Sequence, residues 1–453
     1  VLLQEARMMC RIVQIRSEHD WPKLAHLLKG RAGSEESVER KVREILAEVA
    51  LRGDEAVLEY TRRFDCPDLQ LPLRLGEEDI TRAAASVDAQ DRELIVQAAA
   101  NIRTFHEAQL ERSWFMNRPD GSILGQQITP VDRVGLYVPG GQGGETPLLS
   151  SLLMGAIPAQ VAGVREIAVL SPPRKDGSLS PYILAVAHLL DIDEIYRVGG
   201  AWAIGALSYG TVSIPPVDVI AGPGNIWVTT AKRLVQGRVG IDMIAGPSEI
   251  LIVADSSADP AWAAADMLSQ AEHDELASAI CITMESGFAD AVLRELERQC
   301  NALPRALTAR KALENWGAVV LAPDMDVAVA LCNKIAPEHL ELLVENPWRL
   351  LPRIRHAGAV FMGGHSPEAV GDYFAGPNHV LPTLGTARFA SALSVHTFCK
   401  RTSIIAASPS FVREHADSIA RLARLEGLEA HARSAEARRE KKEEQKLTSP
   451  ALP

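Results

Sequence analysis

The sequence predicts an α/β protein built around two successive parallel sheets. Two observations carry this. Short apolar runs such as Val134-Gly135-Leu136-Tyr137-Val138 and Glu249 to Ala254 alternate with segments of helical periodicity. Glycine clusters follow several of those runs and open the next helix. Buried strands alternating with helices mean βαβ units, and glycines at the carboxyl end of the strands mark the edge where such sheets bind ligands.

The elements follow in order. Up to about residue 125 the chain reads as helical. Ser34 after Gly33 is placed to cap a helix, and Val38 to Tyr60 carries apolar residues at helical spacing broken by Gly53. Strands are then expected at 134–138, Glu166 to Leu170, Ile195 to Val198 and Val217 to Ala221. Helices are expected near Leu148 to Gly163, from about Ala201, and over Trp227 to Val235. After Gly246-Pro247-Ser248 the pattern repeats. Strands fall at Glu249 to Ala254, Ser278 to Thr283, Ala318 to Leu321 and Ala357 to Met362; helices fall at Pro260 to Gln270, Phe288 to Cys300 and Met325 to Lys334. From about Ser410 the chain is helical again, and it finishes in a mixed-charge run that reads as a solvated helix or frayed tail.

Composition narrows the function classes. Nearly half of the 453 residues are apolar, enough for a large core, and the formal net charge is -11. An acidic chain without a basic cluster argues against nucleic acid as main partner. The six cysteines are scattered and lack C-x-x-C spacing, the pattern of a reduced, intracellular protein. No run has the length and apolarity of a signal sequence or a membrane helix. Cytoplasm is therefore expected, with no membrane partner.

Several polar clusters could carry chemistry. Gly140-Gly141-Gln142-Gly143-Gly144, Gly199-Gly200 and Gly222-Pro223-Gly224-Asn225 each sit between a strand and a helix. Their amides could meet a pyrophosphate, although each alone is equally a tight turn. Gln270 and His273 are three apart near a helix end and share a face; they could start a metal site or simply cap the helix. Glu338 and His339 place a carboxylate beside an imidazole, the groups of general-base chemistry, or of a surface ion pair. If both lay on a strand they would point to opposite faces, so Pro337 would have to aim them at one pocket. Asp372 and His379 lie in an apparent Gly-rich loop, and Glu426 and His431 form a polar cluster near the end.

Together these segments resemble histidinol dehydrogenase across essentially the whole chain. The matching stretches run in the family's order: residues 134–141, Ala156-Ile157-Pro158-Ala159, Gly222-Pro223-Gly224-Asn225, Ala245-Gly246-Pro247-Ser248-Glu249, Ser269-Gln270-Ala271-Glu272-His273-Asp274, Pro337-Glu338-His339-Leu340, and Gly376-Pro377-Asn378-His379-Val380-Leu381-Pro382-Thr383. The resemblance implies an α/β fold of two incomplete Rossmann-like parallel-sheet domains, a helical N-terminal region and a helical C-terminal dimerisation arm. The corresponding boundaries are 1–130, 131–247 (NAD side), 248–392 (zinc and catalytic residues), 393–435 (the arm) and 436–453 (a charged tail).

The resemblance also implies a reaction. L-Histidinol is oxidised to L-histidine through L-histidinal with two NAD, the last step of histidine biosynthesis. One Zn2+ per subunit is held by Gln270, His273, Asp372 and His431, an open oxygen and nitrogen set. His339 is the base that takes the hydroxyl proton, and Glu338 helps to activate water. Ser248, His379 and Glu426 contact substrate, alongside Gln270, His273, His339, Asp372 and His431. Tyr137 and Asn225 contact NAD. Many family members have glutamine at the position of Trp202, where it also contacts NAD; indole can stack there but cannot accept a hydrogen bond. In the family, the C-terminal arm enters the neighbour's site in a homodimer, so Glu426 and His431 are implied to serve the partner chain. No cysteine falls in a matched motif, and Cys332 reads as a buried structural thiol. Two other readings compete: a paralogue oxidising another primary alcohol, such as a sulfonated diol, and a non-catalytic zinc- or nucleotide-binding protein. Retention of the ligand positions and of the Glu338-His339 pair favours the first.

Overall fold

The structure is a computed structural model that describes residues 9–28, 30–31, 36–140 and 148–439. The expected cap at Ser34, the glycines at 141–144 and the end of the charged tail lie outside the described residues. The chain begins with β1 (Arg11–Gln14) and continues through α1 (Trp21–Leu28), α2 (Glu36–Arg52), α3 (Asp54–Phe64), α4 (Glu77–Ser86) and α5 (Ala89–Glu107). Then come β2 (Trp114–Asn117), β3 (Ile123–Pro130), β4 (Arg133–Tyr137), α6 (Leu149–Ala162), β5 (Glu166–Ser171), α7 (Pro181–Leu189), β6 (Glu194–Arg197), α8 (Gly200–Tyr209), β7 (Val219–Ala221), α9 (Ile226–Val235) and β8 (Gly240–Ile241). The second half holds β9 (Glu249–Ala254), α10 (Pro260–Ala271), β10 (Ser278–Thr283), α11 (Ser286–Cys300), α12 (Ala306–Trp316), β11 (Ala318–Leu321), α13 (Met325–Ile335), β12 (His339–Leu343), β13 (Ala359–Met362), α14 (Glu368–Val370), β14 (Cys399–Ala406), α15 (Pro409–Leu425) and α16 (Glu429–Glu436).

Two units separate by contacts: Val1–Leu110 with Val131–Phe398, and Glu111–Pro130 with Cys399–Pro453. The first holds both parallel sheets. One runs in the order β6-β5-β4-β7-β8, the other β1-β11-β10-β9-β12-β13, and every neighbouring pair is parallel. Successive residues of β9 enter different cores: Ile250 and Ile252 pack in one hydrophobic cluster, Leu251 and Val253 in another. Covering on both faces is why these strands read as continuous apolar runs.

The second unit is an antiparallel sheet, β14-β3-β2, with α15 and α16. β3 pairs with β14 from Ile123↔Ala406 to Pro130↔Cys399. At the end of α15, Gly427 has φ +75°. Its amide bonds Arg424 O at 3.0 Å, and the Leu428 amide bonds Ala423 O at 2.8 Å. This left-handed C-cap turns the chain between Glu426 and His431.

Several features differ from the sequence reading, which does not place α7, β8, α12 or β12. β1 is an edge strand of the second sheet, in register with β11 from Arg11↔Ala318 to Gln14↔Leu321. β2, β3 and β14 are strands inside segments expected to be helical or unassigned. Their half-exposed, partly polar residues give little apolar signal, and β14 lies hundreds of residues from its partner β3 in sequence. The loop expected around Asp372 is a five-residue π-helical turn, Gly371–Ala375, continuing α14. As expected, Gly53 separates α2 from α3, with φ +58°. Among the described residues, no helix is long and apolar enough to cross a membrane.

Candidate active site

The site lies at the amino ends of β9 and β12, not at the carboxyl edge favoured for open α/β sheets. β12 pairs with β9 so that His339 stands opposite Ile250, which sets the start of both strands side by side. α10 follows β9 and runs back along the sheet, returning Gln270 to this edge. A helix C-terminus carries partial negative charge and favours a cation, so this edge suits a metal better than a phosphate.

Glu338 and His339 grip one peptide. Glu338 Oε2 accepts from the Glu249 amide at 2.9 Å, and His339 Nδ1 lies 2.9 Å from the Glu249 carbonyl oxygen. The two side chains approach to 3.7 Å. The strand argument that would have separated them does not apply, because β12 begins at His339 and Glu338 precedes the pleat. The nitrogen facing a carbonyl must carry the proton. Nε2 is therefore the free base, and it is buried without a hydrogen-bond partner. Its carboxylate neighbour, Asp372 Oδ1, is 4.0 Å away. Arg31 fixes the front of β9: it pairs with Glu249 at 2.6 Å and donates to the carbonyls of Pro247 and Ser248. Ser248 thus sits half-buried in a braced turn at the site's edge.

Glu368 was not among the sequence candidates, yet it is buried at the centre of the cluster. One of its oxygens lies 3.6 Å from His339 Nδ1, and ligand atoms of His339, Glu368 and Asp372 all fall within 4.8 Å of one another. Its spacing of four from Asp372 puts both carboxylates on one helical face, a signal present in the sequence. Gln270, fully buried, reaches the same carboxylate: with its nitrogen turned toward Glu368 it donates to both oxygens, at 2.6 and 2.7 Å. His273 follows in the turn after α10, its amide on Gln270 O at 3.2 Å; partial burial of its imidazole lowers its pKa.

Electrostatics here is governed by desolvation. Burial pushes Glu338 and Glu368 well above the usual carboxylate range and Asp372 up to about 7. Burial also lowers His339 to about 3 and His379 to about 4, with neighbouring imidazoles adding to it. Behind them Glu341, fully buried, is raised to about 10 by burial and by the charge of Asp266. A cluster of carboxyls, imidazoles and an amide, short of positive charge, has the donor chemistry of a divalent-cation site without thiolates.

His379 is held by a chain of backbone economies. Pro158 lies inside α6 and has no N–H for the Met154 carbonyl. Asn378 Nδ2 donates to that carbonyl instead, at 2.7 Å, while its Oδ1 accepts from the Val380 amide. His379 Nδ1 then rests 3.1 Å from Asp372 O. Pro158 of motif 156–159 thus leaves free the Met154 carbonyl that Asn378 of motif 376–383 bonds.

Comparison with known proteins places this arrangement. The sequence profile described as "Histidinol dehydrogenase" matches residues 28–439. The chain belongs to the histidinol dehydrogenase family. It is 65% identical over 432 residues to histidinol dehydrogenase of Nitratidesulfovibrio vulgaris, covering 95% of this chain and 99% of that one. It is 52% identical over 407 residues to that of Bacillus subtilis, covering 90% and 94%. The crystal structure of histidinol dehydrogenase from Elizabethkingia anophelis superposes with a TM-score of 0.89 at 35% identity, covering 95% of this chain and 98% of that one.

In this histidinol dehydrogenase family member the first sheet presents the residues expected to meet NAD. Gly222, after β7, has φ +119°, and a Cβ there would meet Tyr137 O at 2.1 Å, so only glycine fits. Lys232 and Asp242 form a buried ion pair behind it, with Lys232 on Gly222 O and Asp242 on the Gly222 amide, both at 2.8 Å. Asn225 is exposed and caps α9, accepting from the Trp227 and Val228 amides. Tyr137 is buried, and its hydroxyl accepts from the Gly200 amide at 3.2 Å. Trp202 points into the core: its Nε1 donates to Thr61 Oγ1 at 2.9 Å, and its ring stacks on Tyr60 and Phe64 at 5.7 and 5.4 Å. Its one polar atom is thus already engaged. Glu426 and His431 are exposed on the second unit, at the end of α15 and in α16. All six cysteines are free, and Cys332 is buried with its thiol pushed up to about 12, an inert structural group.

Proposed function

We propose that this chain catalyses the four-electron oxidation of L-histidinol to L-histidine through L-histidinal, reducing two NAD, as the last step of histidine biosynthesis in the cytoplasm. The observation that carries this reading is the free, buried Nε2 of His339, fixed in its basic tautomer beside Asp372. Family membership supports the substrate.

Zinc, one per subunit, would be held by Gln270, His273, Asp372 and His431, and would supply a template for the substrate's nitrogens and positive charge to keep buried carboxylates ionised. His339 Nε2 takes the hydroxyl proton as a hydride leaves the carbinol carbon for the first nicotinamide, giving the aldehyde. Glu338 orients water onto the aldehyde carbon. His339 then accepts a hydrate proton as the second hydride departs, and the acid forms. The sum is one alcohol, one water and two NAD giving one carboxylate, two NADH and three protons. Ser248, His379 and Glu426 position the substrate. Tyr137 and Asn225 line the cofactor pocket. Trp202 stands where relatives use glutamine and contributes packing there instead of a hydrogen bond.

Glu426 and His431 are proposed to act in the site of a second copy of the chain, making a homodimer with composite sites. In support, the second unit exposes Phe115, Ile405, Leu422 and Leu425, apolar surface of the kind that protein contacts cover.

Zinc-loaded protein given limiting L-histidinol and excess NAD should release about two NADH per histidinol. A ratio near one, or turnover of a different primary alcohol only, would overturn the assignment.

A further inference from the structure

We infer that Glu368 is a positioning residue: its carboxylate holds the Gln270 amide nitrogen so that the amide oxygen is the atom left for the metal. This rests on the proposed zinc site. An amide is a weak, ambidentate group whose two ends differ in chemistry but hardly in shape. Buried beside a carboxylate that a bound cation keeps ionised, it has one stable orientation. Nitrogen toward Glu368 gives contacts of 2.6 and 2.7 Å; oxygen toward Glu368 would set acceptor against acceptor in a desolvated space. Both Glu368 oxygens thereby accept from the Gln270 nitrogen, which turns the amide oxygen away from the carboxylate.

The support is itself anchored. The Glu368 amide donates to Glu341 Oε1 at 2.8 Å. Glu341 lies on β12, two residues beyond His339, with the Asp266 carboxyl as its neighbour, so that a single proton can join the two. Asp266 and Gln270 are both on α10, four residues apart. β12 and α10 are therefore tied twice, once directly behind the other. A carboxylate bonded to the far end of a ligand also makes that ligand a better donor, and loss of such partners typically costs about 10–100-fold in metal affinity.

The test is zinc affinity, measured on the purified full-length apoprotein by competition with a chromophoric chelator. Glu368→Gln gives Gln270 a neighbour that can donate as well as accept, so orientation is lost and zinc binding should weaken about 10–100-fold. Glu368→Asp, one methylene shorter, should fall between this variant and wild type. The exchange Gln270→Glu with Glu368→Gln restores one amide and one carboxylate, and it should bind zinc at least about tenfold more tightly than Glu368→Gln alone, as complementary pairing predicts. A role in packing alone would shift thermal midpoints without this recovery. Zinc affinity of Glu368→Gln within about twofold of wild type, or an exchange variant no tighter than the single one, overturns the inference. If Glu368→Gln fails to fold, Glu368→Asp and the exchange variant decide. Wild-type protein that binds no zinc would overturn the metal reading itself, which separates that failure from this one.

Discussion

His339 Nδ1 and the carbonyl oxygen of Glu249 stand 2.9 Å apart, joining the first residues of two neighbouring strands. That contact decides which imidazole nitrogen can act as base. His339→Asn removes Nε2 and should lower turnover by about 10²–10⁴-fold, the usual worth of a general base. Zinc content should stay at the wild-type level, because His339 is not among the proposed ligands. Turnover within tenfold of wild type, measured as NADH release, would reject His339 as the base.

Zinc removal should silence the enzyme without unfolding it. The hydrophobic clusters around both sheets are built mainly from Val, Ile, Leu and Ala and include none of the proposed ligands. Dialysis against a strong chelator should abolish NADH formation while far-ultraviolet circular dichroism is retained, and added zinc should restore activity. Loss of the folded spectrum on chelation would contradict this.

Asn378 and Pro158 should be energetically coupled. Asn378→Ala leaves the buried Met154 carbonyl unpaired and should cost about 1–3 kcal/mol. Pro158→Ala supplies an N–H at position 158 that can bond the same carbonyl within the helix. In denaturant titrations the double variant should therefore be more stable than additivity predicts, by about 0.5 kcal/mol or more. Strict additivity would mean that an N–H at position 158 does not take over the Met154 carbonyl from Asn378.

Glu341 should make stability fall as pH rises. Unfolded, it ionises near pH 4.3; folded, it is raised to about 10. Above about pH 5 the folded chain holds a proton that the unfolded chain has lost, so stability declines with pH, by at most ~1.4 kcal/mol per unit. The stabilising effect is fully present below the unfolded value and is lost as pH approaches the folded one. Glu341→Gln can accept from the Glu368 amide and donate to Asp266, and it has no proton to release. Its melting temperature should drop less than that of wild type between about pH 6 and 9. Parallel curves would exclude Glu341 as the titrating group.

The sequence by itself determined the fold class, most strands and helices of the two parallel sheets, and the residue types of the site. β9, β10 and β11 fall where the apolar runs predicted, because a strand covered on both faces must be apolar throughout. The helix break at Gly53 was legible for an equally local reason. Tertiary structure alone decided the rest. β1 finds β11 only when the chain has folded, and its own residues carry no record of that partner. Glu368 became central because the fold sets its carboxyl against His339 and Gln270; its spacing of four from Asp372 did not by itself single it out. The fate of Trp202, turned inward onto Thr61, Tyr60 and Phe64, depends on α3 lying against α8. Local periodicity reports which face of an element is covered; it does not report by what, and a site assembled from distant elements is a property of that second question.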